Sequence, residues 1–457
     1  MPHSINSAGR LDRMPIARFH RKILLLITAG AFLDAFDLYL ANDSLAAMVK
    51  DGFADMHSGA MFISATFVGM VLGAALSGHV GDRYGRRVAY QINLAIFGLA
   101  SLAACFAPDM RWLIGLRFIM GLGLGAELVV AAGTLTEFIP PTHRGKWISL
   151  VGLVINSALP VVSLLGYGLI PHLGWRYMFA IVGGGALCVW YLRHGMPESP
   201  RWLESVGRCV EAEATLRAIE SSVEAERGPL PPVTRPVAQH AGWVPFRALF
   251  AKGMLGRTLT AAMTGVAINV GLYGFIAWLP TIFVKQGFSM VQSFGFVLLM
   301  SFGAPLGGLL SYVVADRVGR ARSIIYAALL SIVLGCVYVS LHSSAAIVIA
   351  GFGLISTLYA ITTLGLLGYI PELFPTEMRL RGTGLAATVG RSASVAMPYI
   401  TLKLYGLYGV TGVLAFVSAT LLVLCLAIIS LRIETSGQSL EDIAPRVSAG
   451  VADEVMS

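Results

Sequence analysis

Two aspartates stand inside the otherwise apolar run GAFLDAFDLYL, from Gly30 to Leu40. A charged side chain at the centre of a bilayer costs about 2.5–3.5 kcal/mol on insertion scales, so an acid kept there is a candidate for work on ions or substrates. Asp34 and Asp37 are three residues apart and share one helix face. The other ionisable residues inside apolar segments are Arg117, Glu127 and Arg391. An acid beside an arginine is a pair suited to ion coupling. The arginine cannot give up its proton, and it favours the charged carboxylate until another anion draws it away.

Depth sorts these residues. At about 1.5 Å per helical residue, Asp37 lies roughly 21 Å into the first apolar segment, and Arg117 roughly 9 Å into the fourth, which runs the other way. The two are therefore level, as an ion pair requires. Glu127 lies about 15 Å further along the fourth segment, in the inner half and closer to the level of Asp34 than to that of Asp37. His57, His79, His143, His172, His194 and His342 fall in loops or at segment ends, which leaves carboxylates rather than a histidine relay at mid-membrane. Neutral groups that could line a substrate cavity are Asn156, Asn269, Tyr273, Trp278, Tyr359 and Thr362, beside the charged Glu127 and Arg391.

The elements that must position these groups follow from composition. The chain has 457 residues, of which 56% are hydrophobic and 13% charged, with mean hydropathy +0.74. A soluble domain carries roughly 25% charged residues, so this chain cannot cover a water-facing surface and reads as an integral membrane protein. At about 20 residues per span, twelve apolar segments begin near Ile23, Ala60, Val88, Arg111, Trp147, Trp175, Thr258, Val291, Ser323, Ala345, Thr383 and Val410. With both termini on one side, 26 of the 33 Lys and Arg residues fall on that side, which the positive-inside rule makes cytoplasmic. That bias accounts for the net charge of +8 without a nucleic acid partner. The first segment is expected to be retained as a span rather than cleaved as a signal peptide. The five cysteines lack CxxC spacing, the four in apolar segments read as small hydrophobes, and no GxxxxGK[ST] loop supports ATP-driven transport.

The chain divides into a tail (1–22), a six-span bundle (23–192), a polar central loop (193–257), a second six-span bundle (258–431) and a second tail (432–457). The halves repeat: DRYGR at Asp82 returns as DRVGR at Asp316, an offset of 234. EFIPPTHRG at Glu137 returns as ELFPTEMRLRG at Glu372, an offset of 235, and Glu198 is answered by Glu434 at 236. Duplicated halves with binding at their interface are a transporter layout. Glycines 69, 73, 121, 123 and 125 are expected to let helices approach closely.

These motifs carry a family resemblance. GHVGDRYGRR, RFIMGLGLGAE, PESPRWL and ETSGQSLEDI make the chain similar to major facilitator superfamily transporters over nearly its whole length, although Tyr312 replaces the leading glycine of the second-half loop. The resemblance implies an all-α fold of two six-helix bundles. It also implies a gating network of loop charges comprising Asp82, Arg83, Arg86, Glu137, Arg144, Glu198, Asp316, Arg320, Glu372 and Arg379. LDAFD resembles the paired-aspartate signature of aromatic-acid proton symporters, with Ala35 in place of the usual glycine, and GLGAELVVA resembles niacin-type carriers. The expected function is proton-coupled import of a small organic acid across the cell membrane. Asp37, Arg117 and Asp34 would do the coupling, with no enzyme activity, bound cofactor or metal, and the chain acting as a monomer. Alternatives are a proton-coupled sugar porter, since PESPRWL and ETSGQSLEDI are shared with that branch, and a non-transporting receptor on the same scaffold.

Overall fold

The computed structural model describes residues 5–233, 246–251, 253–374 and 378–431, without the side chains of 75, 77–82, 128–133, 135–136, 141–146, 148–149, 312, 315–317, 367 and 379–380. Every described element is helical. Twelve rods run in chain order: Arg18–Lys50, Met56–Tyr84, Arg86–Ala104, Met110–Phe138, 141–173, Arg176–Arg193, Leu255–Lys285, 290–318, Arg320–Ser340, Ser344–Glu372, 379–408 and 410–431. They correspond one for one to the apolar segments of the sequence and are called spans one to twelve below. The last two are continuous except at Gly409, where φ is +63° and only glycine is at ease. Nine helices among the described residues are long and apolar enough to cross a membrane, one of them being the joined pair. Spans four and six, which carry buried charges, complete the set. Leu99, Ile349 and Leu426 are each more than half exposed, as lipid-facing side chains are.

Four spans are interrupted, and each interruption precedes a proline. Span five breaks at Ser157 before Pro160, and span eight at Phe302 before Pro305. Span seven passes through a π turn at Gly271–Phe275 and a 3₁₀ turn at Ile276–Trp278 before Pro280. Span ten has a π turn at Leu364–Tyr369 before Pro371. Proline lacks the N–H that would bond the carbonyl one turn back, so the ladder is rearranged there. Such backbone is tolerated at membrane depth where it is buried in protein or faces a cavity.

The chain packs as two compact units. One comprises Met1–Ser44, Ala65–Ala158 and His172–Gln239; the other comprises Leu45–Ser64, Leu159–Pro171 and His240–Ser457. Their boundaries cut across the sequence repeat, because one end of spans one, two and five belongs with the second unit. Within that unit Ser64 Oγ donates to the Val395 carbonyl at 2.8 Å. In the first unit, spans two and four meet backbone to backbone as their glycines led one to expect. A Cβ on Gly73 would lie 2.0 Å from the Leu122 carbonyl oxygen, and one on Gly125 2.0 Å from that of Met70.

The central segment is helical at Pro200–Ser205 and Cys209–Arg227, and a short N-terminal helix, Ser7–Asp12, docks on it. Leu11, Met14 and Ala17 pack with Leu216, Ile219 and Val223. Glu204 accepts from the backbone N–H groups of Ile5, Asn6 and Ser7 at 2.9–3.1 Å. Arg10 pairs with Glu213 at 2.6 Å and with Glu220, which also accepts from Arg13 at 2.7 Å. Hydrogen bonds from Arg10 and Arg217 hold the Glu213 carboxyl below the ordinary glutamate range. Burial pushes Glu220 up, but the bonds from Arg10 and Arg13 outweigh it and hold it low as well. Two expectations are corrected here. Arg193 and Arg257, placed in the polar loop by sequence, are 1% and 8% exposed and belong to spans six and seven. Arg193 donates to Glu127 and to the Leu26 carbonyl, and Arg257 to the Leu373 carbonyl at 3.2 Å.

Carboxylates whose folded pKa is depressed stabilise the docked state above their ordinary pKa, and that contribution is lost as pH falls through the depressed value. Protection of residues 5–13 against hydrogen exchange, taken relative to the intrinsic rate at each pH, should therefore fall in acid below the glutamate range. Arg10→Ala should show the same loss of protection at neutral pH, with the spans unchanged.

Candidate functional site

In the first unit the chain brings Asp37 and Arg117 together. Arg117 Nη1 donates to Asp37 Oδ2 at 2.7 Å, with the two side chains 1% and 0% exposed. Arg117 Nε donates to Thr66 Oγ1 at 2.9 Å, and Nη1 also lies 3.6 Å from the Met120 sulfur. Asp37 Oδ1 is buried and without a hydrogen-bond partner among the described residues. Spans one, two and four thus each supply one member of the site. The depth argument from sequence anticipated the pair; Thr66 was missed, since a threonine in a span carries no distinguishing signal. Asp34 is also buried, one helical turn from Asp37.

Glu127, expected to line a cavity, forms a second buried ion pair. Arg193 Nη1 donates to Glu127 Oε1 at 2.6 Å, with the two side chains 1% and 2% exposed. Sequence reasoning missed Arg193 because it is the first charge after span six and looks like a loop residue. A signal was present: a mid-span glutamate needs a cation level with it.

Asn156, half-buried, ends the first part of span five beside its break. In the second unit Asn269 spends both ends of its amide: Nδ2 donates to the Gly265 carbonyl at 2.8 Å, and Oδ1 accepts from Ser394 Oγ at 2.6 Å. It is therefore a tie between spans seven and eleven. Trp278 lies in the interrupted stretch of span seven, 1% exposed, and its Nε1 is without a hydrogen-bond partner among the described residues. Tyr273 and Arg391 are half-buried and Tyr359 is buried. Thr362 bonds back to the Leu358 carbonyl.

The loop charges pair within each half. Arg86 Nε donates to Glu137 Oε1 at 3.2 Å, and Arg320 pairs with Glu372, its repeat counterpart. Both arginines open a span directly after a glycine, Gly85 with φ +101° and Gly319 with φ +95°. Glu198 has a different role from the expected charge pairing: it accepts from the backbone N–H groups of Arg86 and Arg87 at 2.9–3.3 Å and caps span three. A helix N-terminus with its unpaired N–H groups favours an anion. Burial nonetheless pushes the Glu198 carboxyl above the ordinary glutamate range, against those bonds. Arg83 is exposed and lies over the Tyr84 ring, 5.6 Å from its centre. The side chains of Asp82, Arg144, Asp316 and Arg379 lie outside the described residues.

Among known proteins, residues 24–446 match the family model described as sugar (and other) transporter. The chain is 38% identical to the inner membrane metabolite transport protein YdjE of Escherichia coli (strain K12) over 441 residues, covering 95% of this chain and 98% of that one. It is 33% identical to the niacin transporter NiaP of Acinetobacter baylyi, covering 95% and 99% respectively. A solved inward open structure of the xylose transporter XylE from E. coli superposes with TM-score 0.72 at 18% identity, covering 93% of this chain and 99% of that one. This last likeness is one of fold.

If the Arg86–Glu137 pair belongs to a gate, Arg86→Ala should leave the substrate Kd within twofold while slowing transport about tenfold, roughly 1.4 kcal/mol on a barrier. Equilibrium binding and initial uptake rates, measured on the same preparation, check this.

Proposed function

The chain belongs to the sugar (and other) transporter family of the major facilitator superfamily, and from that premise we propose that it imports a small organic carboxylate together with a proton. It is a multi-pass membrane transporter and not an enzyme. The observation that carries the coupling proposal is the buried Asp37–Arg117 pair. Engaged, Arg117 keeps Asp37 ionised. When a substrate carboxylate takes Arg117, Asp37 is left in low dielectric without its counter-ion and accepts a proton. Proton and carboxylate then load together and cross as a neutral set. Asp34, one turn away, would shape the site or pass the proton inward. The energy comes from the proton gradient, and no bound cofactor enters this scheme.

A carboxylate is favoured over a hexose because arginines at Arg117 and Arg391 suit an anion, and because the similar NiaP protein is named for niacin, a pyridine carboxylate. Asn156, Tyr273, Trp278, Tyr359 and Arg391 are the proposed substrate contacts, and Arg86–Glu137 with Arg320–Glu372 the proposed gate. The sugar reading keeps some support from PESPRWL and ETSGQSLEDI, and from the family description itself. The Lys/Arg bias supports cytoplasmic termini, and an inner-membrane location accords with the name of the relative YdjE.

A thermal-shift screen against nicotinate, benzoates, hydroxy acids and sugars separates the substrate classes; stabilisation by a sugar with no active acid would overturn the carboxylate proposal. In proteoliposomes, Asp37→Asn should abolish accumulation driven by a pH gradient yet retain exchange of internal for external substrate. Accumulation at the wild-type level by this variant would sink the coupling role. Arg391→Ala should impair uptake of an acid at least tenfold while sparing a neutral amide analogue, since a salt bridge to substrate is worth about 1.5–3 kcal/mol. Equal loss for both would assign Arg391 to structure.

A further inference from the structure

The two buried pairs of the first unit are built differently. Arg117 is held by a carboxylate, a hydroxyl and a thioether. Arg193 is held by Glu127 and by the helix backbone of span one: Nε and Nη2 donate to the Leu26 carbonyl at 3.1 and 2.8 Å. Its guanidinium also sits over the Tyr90 ring, 4.6 Å from the ring centre. Gly30 leaves room for this arrangement. A Cβ there would lie 2.0 Å from Arg193 Nη2 and 2.5 Å from Glu127 Oε1, so span one is notched where the pair enters.

The surroundings of Arg193 decide what Glu127 can do. Carbonyl oxygens and a ring face compensate Arg193 whether or not Glu127 is charged. Glu127 can therefore take a proton without stranding a buried cation, and its Oε2 is buried and without a hydrogen-bond partner among the described residues. The position also fits. Gly30, Asp34 and Asp37 succeed one another at i, i+4 and i+7 on one face of span one, and Gly30 lies about 10 Å from Asp37 along the axis. The charged and titratable groups that face Glu127 are Arg193 from span six and Tyr90 from span three; on span one Asp34 follows one turn after Gly30, and on span four itself Arg117 and Glu137 each lie about 15 Å away along the axis.

We infer that Glu127 is a second proton-binding station, with Arg193 as its fixed counter-ion, receiving the proton that Asp37 releases. This rests on the coupling proposed for Asp37. The proton leaves the Asp37 carboxyl, which re-forms its pair with Arg117, and passes by way of Asp34 to Glu127 Oε2. Release to water then restores the Glu127 carboxylate beside Arg193. No electrons move, and the transported proton is the only species exchanged.

Infrared difference spectra of the reconstituted full-length protein, recorded during a pH titration, read protonated carboxyl groups directly and need no substrate. Two components of the protonated-carboxyl band are expected, one removed by Asp37→Asn and the other by Glu127→Gln. Gln keeps an oxygen acceptor for Arg193, so the melting temperature should stay near wild type, and Glu127→Asp should retain a shifted band. A Glu127→Gln spectrum superimposable on wild type would overturn the second station while leaving Asp37 untouched. Loss of no component in Asp37→Asn would overturn the coupling on which it rests. Unfolding of Glu127→Gln together with a band-free, folded Glu127→Asp would assign the pair to structure and overturn the inference too.

Discussion

Charge inside a membrane has to be compensated by the protein itself, because no bulk water is there to do it. That constraint organises the first unit. Removing one partner of a buried ion pair costs about 3–5 kcal/mol, since the other is left uncompensated. Asp37 and Arg117 must therefore arrive together, which ties the register of span one to that of span four, and the backbone contact of spans two and four sets where Thr66 meets the guanidinium. Glu127 and Arg193 form a second pair one level along, where the Leu26 carbonyl and the Tyr90 ring share in compensating Arg193, and spans one, three, four and six meet around the notch at Gly30. A bundle held this way resists sliding of its helices. The acids of these pairs are also the groups proposed to change charge, so in that proposal stability and coupling draw on one set of residues.

Outside the apolar layer, charges are used more loosely. Arg86–Glu137 and Arg320–Glu372 are partly exposed, as pairs must be if they are to open and close with little cost. Their equivalence across the two halves comes from the duplication: each arginine begins a span after a left-handed glycine, and each acid ends the span or turn that faces it. The N-terminal helix is fastened to the central segment by a denser cluster, with Arg10, Arg13, Glu213 and Glu220 linked to one another over an apolar seam.

Much of this could be read from the sequence, for identifiable reasons. Twelve spans follow from apolar runs longer than any soluble helix needs. The Asp37–Arg117 pair follows from depth, since two isolated opposite charges on antiparallel rods meet only if they are level. The loop pairs Arg86–Glu137 and Arg320–Glu372 fall in motifs that the sequence repeats between its halves. What escaped reading depends on side-chain direction. Arg193 lies at a span end and folds back inward, and Glu198 spends its charge on backbone N–H groups, which no spacing reveals. Asn269 looks like a free cavity amide until Ser394, more than a hundred residues away, is seen to occupy it. The π turns before Pro280 and Pro371 were likewise hidden within runs that read as plain helix.

The central claim is that a substrate carboxylate and a proton enter as a set because the first takes Arg117 from Asp37. Calorimetric titration of the purified protein with nicotinate, or with the acid that stabilises it most, in buffers of differing ionisation enthalpy counts the protons exchanged on binding. Uptake of about one proton per bound carboxylate, with affinity falling as pH rises, is the expected result. Binding with no proton uptake and no pH dependence would contradict it.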